Sequence, residues 1–321
     1  MFVKVTNYHQ LSPINDLFYI IHPMGEKQQK LAILIDANSL IHRCFHALPP
    51  FTGPDGVPTG ALYGVSNIML KVLREQKPDY IAAFFDRPEP TLRKELFDDY
   101  KIQRPKAPDE LVSQIIEAHN LFTAFSIKTY EAPGYEADDL IGVGAKQLKL
   151  TDGMKVKILT SDSDILQLVE GEKIVVETPQ KGINEMKIYD SAAVEEKYEG
   201  LTPNQIPDLK GLVGDSSDNI PGVLGIGPKT AIPLIKKYGS LENFLEKGID
   251  EKAYQKIYEQ KDQAILSKSL ATINYEAPLE IENIEEIKFD GLPKENVLTY
   301  FEKFGFKSLI KRISENGVLG F

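Results

Sequence analysis

The sequence predicts an α/β fold, a mainly parallel sheet flanked by helices, followed by a helical second part. Three observations support this. Short β-rich apolar runs (Leu31 to Ile35, Tyr80 to Phe85, Val156 to Thr160) alternate with stretches of helical period, the pattern of parallel strands joined by helices. Each run is followed by acid: Asp36, Asp86, and Asp162 with Asp164. Strand signals then stop around Leu201 to Pro207.

Residues 1–30 show no clear periodicity and are read as an extension. After the first strand and Asp36 comes Asn38-Ser39-Leu40-Ile41-His42-Arg43, then a turn-rich loop, Pro49 to Gly56. Leu62, Val65, Ile68, Met69 and Val72 recur at helical spacing, with Pro78 closing that helix. The segment Arg87 to Lys106 is bracketed by prolines. If its middle is helical, Arg93, Tyr100 or Lys101, and Arg104 share one basic face suited to phosphates, with Tyr100 able to stack on a base. Glu95, Asp98 and Asp99 are interleaved there, so a solvated charged helix is the competing reading. Leu111, Ile115, Ile116 and Phe122 predict a further amphipathic helix. Ile127 to Tyr130 and Lys173 to Thr178 predict strands.

The densest signal is Gly134-Tyr135-Glu136-Ala137-Asp138-Asp139, three carboxylates within four residues at a helix start. Two charges about 4 Å apart repel by roughly 4 kcal/mol at an effective dielectric near 20, whereas a helix N-terminus returns only about 0.3–1 kcal/mol for each. Something positive has to sit among them. Open α/β sheets place their sites beyond the carboxyl ends of strands, so the strand-end acids and this cluster predict one shared acidic pocket that binds divalent metal.

The second part contains Gly214-Asp215-Ser216-Ser217-Asp218-Asn219 and then Pro221 to Thr230. Asp215 and Asp218, three apart, would share one face of a helix and could join the pocket. In the glycine-rich turn, Gly222, Gly225 and Gly227 free the backbone, Pro228 suits a first helical turn, and exposed amides there can hold a phosphate. This resembles a helix-hairpin-helix, with Lys229 and Thr230 at the start of its second helix. Pro233 inside that helix predicts a kink or an early stop. The remainder reads as helical, with an acidic patch at 280–286 and a docking segment at 304–310.

The composition is ordinary for a globular chain: 321 residues, 42% hydrophobic and 26% charged. No run approaches the roughly 18 apolar residues of a membrane span, and neither a basic leader nor a cleavage pattern opens the chain. The single cysteine, Cys44, excludes an internal disulfide and reads as a small buried hydrophobe. A cytoplasmic protein is expected. The net charge of −10 opposes a polyanionic partner only if acids and bases are evenly spread. His42 and His46 lie four apart, but no zinc motif accompanies them. A phosphate-binding P-loop fails because the lysine stands one place late. Asn38 occupies the position where acid phosphatases of the haloacid-dehalogenase type need a second Asp.

Taken in order, Phe45 to Pro50, Pro58-Thr59-Gly60-Ala61, Phe85-Asp86, Tyr100-Lys101 with Arg104-Pro105, Gly134 to Asp139, Asp162 with Asp164, and Gly214 to Gly227 resemble the 5′-nuclease domain of the bacterial DNA polymerase I type, within the flap endonuclease superfamily. The resemblance spans about residues 31–312. It implies a PIN-like α/β domain at 31–200 with a helical arch at about 87–106, and a helical domain at 201–321 carrying the hairpin. It assigns Asp36, Asp86, Glu136, Asp138, Asp139, Asp162, Asp164, Asp215 and Asp218 to a carboxylate cluster around two or more Mg²⁺ or Mn²⁺ ions, hard cations that suit oxygen ligands. Lys101 and Arg104 match basic arch residues that approach the scissile phosphate. Arg93 and Tyr100 would guide the single strand, and Gly222 to Thr230 would hold the duplex and a monovalent cation, often K⁺.

The implied activity is 5′-3′ exonuclease and 5′-flap endonuclease cleavage of DNA at a single-strand/duplex junction, by a monomer that is either free-standing or part of a polymerase. A catalytically silent DNA-binding module and a PIN-type ribonuclease are the alternatives. Three positions depart from the family pattern: His42 stands where relatives often place a base-stacking Tyr, Ser163 where a Lys is frequent, and Pro233 interrupts the hairpin helix.

Overall fold

The computed structural model describes residues 29–180, 185–279, 281 and 283–315. The expectation for the extension at 1–30 therefore falls almost wholly outside the described residues.

The strands are β1 (Lys30–Asp36), β2 (Tyr80–Phe84), β3 (Lys128–Tyr130), β4 (Met154–Leu159), β5 (Ile174–Pro179) and β6 (Met186–Tyr189). They form one sheet in the order β3-β2-β1-β4-β5-β6, parallel except for β6. The sequence reading had no counterpart for β6. From β1 the chain builds outward to β2 and β3, then returns to place β4 on the other side. That reversal is a topological switch point, where a crevice opens beyond the strand ends. Pairing of Asp36 with Phe84, and of Ile35 with Leu159, brings the three acid-bearing ends level.

Alternation along β1 supplies two cores. Ile33 and Ile35 pack with α1 (Ala37–Ala47), α2 (Gly60–Gln76) and, beyond the five-residue α3 (Leu92–Leu96), α4 (Asp109–Ala124). Ala32 and Leu34 pack on the opposite face against α5 (Ala137–Leu148). The expected core residues of α2 are all buried; on α4, Leu111 and Phe122 are buried but Ile116 is exposed. Cys44 is buried beside Gly64, and burial pushes its thiol up to about 12, as suits a packing residue.

After α6 (Ser191–Lys197) come α7 (Ile206–Val213), α8 (Pro228–Tyr238), α9 (Leu241–Lys247), α10 (Tyr254–Tyr258) and α11 (Lys261–Ala271). They enclose a separate apolar cluster that includes Leu212, Ile226, Ile235 and Phe244. Contrary to expectation, α8 runs unbroken through Pro233. Pro233 and Lys229, whose carbonyl loses its partner, both lie on the exposed side, so water can satisfy what the ring removes. Finally α12 (Lys294–Phe304) and α13 (Lys307–Glu315) return to the sheet. Phe304, Phe306 and Leu309, read from sequence as a docking segment, bury themselves in the β1, α2 and α4 core.

Candidate functional site

Local chemistry first places the acids. Asp36 ends β1 and caps α1: Oδ1 accepts from Ser39 N at 3.0 Å, and Oδ2 accepts from the Thr160 hydroxyl at 2.7 Å. Asp86 accepts from Ala137 N at 2.7 Å, which docks the start of α5 beside the end of β2. Glu136 and Asp139 form a reciprocal capping box on α5. The result is a cavity of about 500 Å³ whose walls include Asp36, Asp86, Glu136, Asp138 and Asp162, with His42, Lys101 and Arg104 at its edge.

The electrostatics of this cavity are unbalanced. Burial raises the Asp36 carboxyl to about 7, helped by Asp86 and Asp162. Asp86 and Asp138 are also raised, in each case first by removal from water, then by neighbouring acids. The Asp138 Oδ1 atom is buried with no hydrogen-bond partner, and the Arg93 guanidinium stands 3.7 Å away. Buried polar atoms are otherwise nearly always paired.

Other acids are already compensated. Arg93 makes a bidentate pair with Asp139 at 2.6 and 2.8 Å, donates to the Leu270 and Thr272 carbonyls, and lies 3.3 Å from Glu136. Asp139 also accepts from Asn274 N at 2.7 Å. Lys101 lies 2.8 Å from Glu136, and Arg104 pairs with Asp218. Burial pushes the Glu136 carboxyl up, but Lys101 and Arg93 outweigh it and leave the group below its ordinary value. Lys210 bridges Asp164 and Asp215, which therefore stand beside the cavity rather than within its walls. Sequence reasoning missed Lys210; its only signal was a lysine five residues before Asp215.

Two expectations for the arch differ from the structure. Its middle is not one helix: α3 stops at Leu96, and turns carry the chain to Arg104. Arg93 and Tyr100 are buried, at 8% and 4% exposure, with their polar atoms turned to neighbouring acids. The Tyr100 hydroxyl lies 3.2 Å from both Glu136 and Asp218. The turn and the Asp218 loop clasp each other, with Lys101 N donating to the Asp218 carbonyl at 2.9 Å and Asn219 Nδ2 to that of Asp99 at 2.7 Å. Lys101 adopts a left-handed backbone (φ 54°) to do so, a strain that a non-glycine residue keeps only when its surroundings dictate it.

The hairpin lies between α7 and α8. Gly214 and Gly222, both at positive φ, pack so closely that a Cβ on either would strike backbone at 2.5 or 2.3 Å. Lys229 is exposed and Thr230 half-buried at the start of α8. The Gly222 carbonyl accepts from Gln263, and that of Gly225 from Lys256 at 3.2 Å. His42 and His46 line the same cavity, ring centroids 6.5 Å apart.

Among the described residues, no three His, Cys, Asp or Glu side chains are arranged as a ready metal cage. The donor set nevertheless suits a hard divalent cation. Its acids offer oxygens only, the Asp138 Oδ1 atom has no hydrogen-bond partner, and Asp36, Asp86 and Asp138 are raised by burial and then by neighbouring acids.

Family models match two consecutive stretches of this chain. Residues 31–199 match the 5′-3′ exonuclease N-terminal resolvase-like domain, and residues 201–295 the 5′-3′ exonuclease C-terminal SAM fold. The chain belongs to the 5′-3′ exonuclease family. It is 43% identical over 293 residues to DNA polymerase I of Bacillus subtilis, covering 90% of this chain and 33% of that protein. It is 37% identical over 287 residues to a 5′-3′ exonuclease of Aquifex aeolicus, covering 89% of this chain and 96% of the relative. The chain thus spans about a third of the length of its polymerase relatives and nearly all of the Aquifex aeolicus relative. Solved structures share the fold: T5 5′-exonuclease with bound zinc (TM-score 0.61, 20% identity, 75% of this chain and 89% of that one) and the Rad2 catalytic core with DNA substrate (0.53, 18%, 86% and 88%). Among the described residues no helix is long and apolar enough to cross a membrane.

A prediction follows from the raised carboxyls. Folding lifts Asp36 from 3.8 to about 7 and Asp164, chiefly through burial and Asp162, to about 6. Such groups bind protons more tightly folded than unfolded, so stability present at pH 4 is lost as pH rises towards 7. Urea melts of the protein in EDTA should show this decline, and millimolar Mg²⁺ should flatten it. A stability that rises between pH 5 and 7 without metal would contradict the assignment.

Proposed function

We propose that this exonuclease-family chain hydrolyses DNA phosphodiesters in a divalent-metal-dependent reaction, removing nucleotides 5′ to 3′ and cutting 5′ flaps at single-strand/duplex junctions to leave 5′-phosphates. The observation that carries this is the cavity at the switch point, where Asp36, Asp86 and Asp138 are pushed together faster than protein cations compensate them. Asp36, Asp86, Asp138 and Asp162, with Glu136, would hold one or more Mg²⁺ or Mn²⁺ ions; Asp164 and Asp215 would support a second position beside Lys210. When bound, such ions supply a water-derived nucleophile at neutral pH and charge for the leaving oxygen.

The remaining roles belong to the protein. Lys101 and Arg104, at the cavity edge, offer cations to the phosphate that enters it. Asp218 and Tyr100 orient them, while Asp139 and Arg93 anchor the start of α5. The α7–α8 hairpin grips the duplex backbone through the amides that begin α8. Two hairpin carbonyls already accept side chains, one of them the Lys256 ammonium, so K⁺ at the hairpin would displace that cation or use the carbonyls' second lone pairs. We further propose a cytoplasmic monomer, organised as a nuclease part at 31–200 and a hairpin-bearing part from 201, acting beside a DNA polymerase in the same chain or a separate one.

The test uses a 5′-labelled flap DNA, its RNA counterpart and a blunt duplex, each with Mg²⁺ or EDTA. Metal-dependent cutting of the DNA flap is expected. Binding without cutting, or preference for RNA, would overturn the proposal. In the same assay Lys101→Ala should lower the single-turnover rate by about 10²–10³ while changing the DNA dissociation constant by less than about threefold. The opposite split would make Lys101 a grip on substrate and nothing more.

A further inference from the structure

We infer that a track of lysines, starting at Lys229 of the hairpin's second helix and continuing through Lys236, Lys197 and Lys187, carries the duplex backbone from the hairpin to the acid cavity. Lys229 and Lys236 are seven apart on α8, so they share a face, and with Ile232, Pro233 and Glu199 they line one surface depression. The Lys236 ammonium donates to the Glu199 carbonyl at 3.0 Å, which fastens α8 to the turn after α6. Two residues back, the Lys197 ammonium lies 5.5 Å from the centre of the Tyr198 ring and 5.3 Å from that of Tyr189. The Lys187 ammonium, from β6, sits 4.6 Å from that same Tyr189 ring. Tyr198 in turn interacts with Ser163, a residue of the cavity wall. These contacts link the hairpin's second helix, step by step, to the cavity wall.

The chemistry of this route favours polyanion. All four lysines are exposed, and among the described residues none is paired with a carboxylate, although the chain carries a net charge of −10. Resting an ammonium on an aromatic face fixes its position and leaves its hydrogen-bond donors outward for an anion. Two ammoniums on one ring repel each other, and an anion bound between them relieves that repulsion. The phosphates of duplex DNA are such anions. This inference rests on the nuclease reading and extends it to how the duplex is held.

The experiment measures anisotropy of a labelled 5′-flap duplex, and of a single strand of equal length, across a salt series in EDTA. The wild type is compared with Lys187→Ala/Lys197→Ala and with Lys187→Arg/Lys197→Arg. In the double alanine variant the slope of log affinity against log salt should fall in magnitude by about 2, and duplex affinity by about tenfold at moderate salt. Single-strand binding should be unchanged, and the arginine variant should restore the slope. An unchanged slope in the alanine variant, or an equal loss on the single strand, overturns the track. If Mg²⁺-dependent cutting by the wild type persists in that case, only the track is lost; if the wild type neither binds nor cuts, the nuclease reading falls with it.

Discussion

Asp138→Asn is expected to abolish cleavage, by at least about a thousandfold, while leaving DNA binding nearly intact and making the metal-free protein more stable. The two effects have one origin. Asp138 sits among Asp139 and Glu136 with one carboxylate oxygen buried and unpartnered. A neutral side chain of the same shape removes repulsion that folding otherwise has to overcome, and it also removes an oxygen that a cation would need. Thermal melts in EDTA should therefore rise for the variant, whereas added Mg²⁺ should stabilise the wild type more than the variant. Unchanged turnover would remove Asp138 from the site, and a lower metal-free melting point would show that its charge is compensated after all.

Arg93→Ala is expected to cost about 3–5 kcal/mol of folding stability, the usual consequence of taking one partner from a buried ion pair. Arg93 is the only described cation in a bidentate pair with Asp139, and it also holds the carbonyls that end α11. Without it three acids at the start of α5 face one another, and the link between α3 and the helical part is cut. Lysine should rescue little, because an ammonium cannot fork to two oxygens and reach two carbonyls as well. Adding Asp139→Asn to the alanine variant should recover part of the loss, since the stranded charge is then absent. Urea denaturation checks both. Full stability with weakened single-strand binding would instead return Arg93 to the DNA-guiding role that the sequence suggested.

The contrast between these two residues shows what was legible. Asp138 could be assigned because its meaning is local: three carboxylates in four residues at a helix start need positive charge whatever surrounds them. Strand-end acids such as Asp36 and Asp86 were equally readable, since β-rich runs of five or six residues announce both a strand and its carboxyl end. Arg93 and Tyr100 could not be assigned in the same way. Their residue types suit DNA and suit an internal brace equally, and the choice depends on the backbone between them. The segment after Leu96 turns instead of continuing as a helix, with Lys101 in a left-handed conformation, which carries Tyr100 to Glu136 and Asp218, while Arg93 meets Asp139 from within α3. Pro233 erred for a related reason: proline breaks a helix when the freed carbonyl is buried, and here it lies on the exposed side. Strand β6 was missed because it is short and pairs only with β5.

The order of residues alone determined the fold class and the positions of the acids, because hydrophobic period and charge density act over a few neighbours and need no partner; the kinship with nucleases rested on the resemblance of its ordered motifs to a known family. Tertiary structure decided which acids remain uncompensated in the cavity and which are claimed by Arg93, Lys101, Arg104 and Lys210. An ion pair forms between groups brought together by folding, and its partner can stand 46 residues away, as Arg93 does from Asp139.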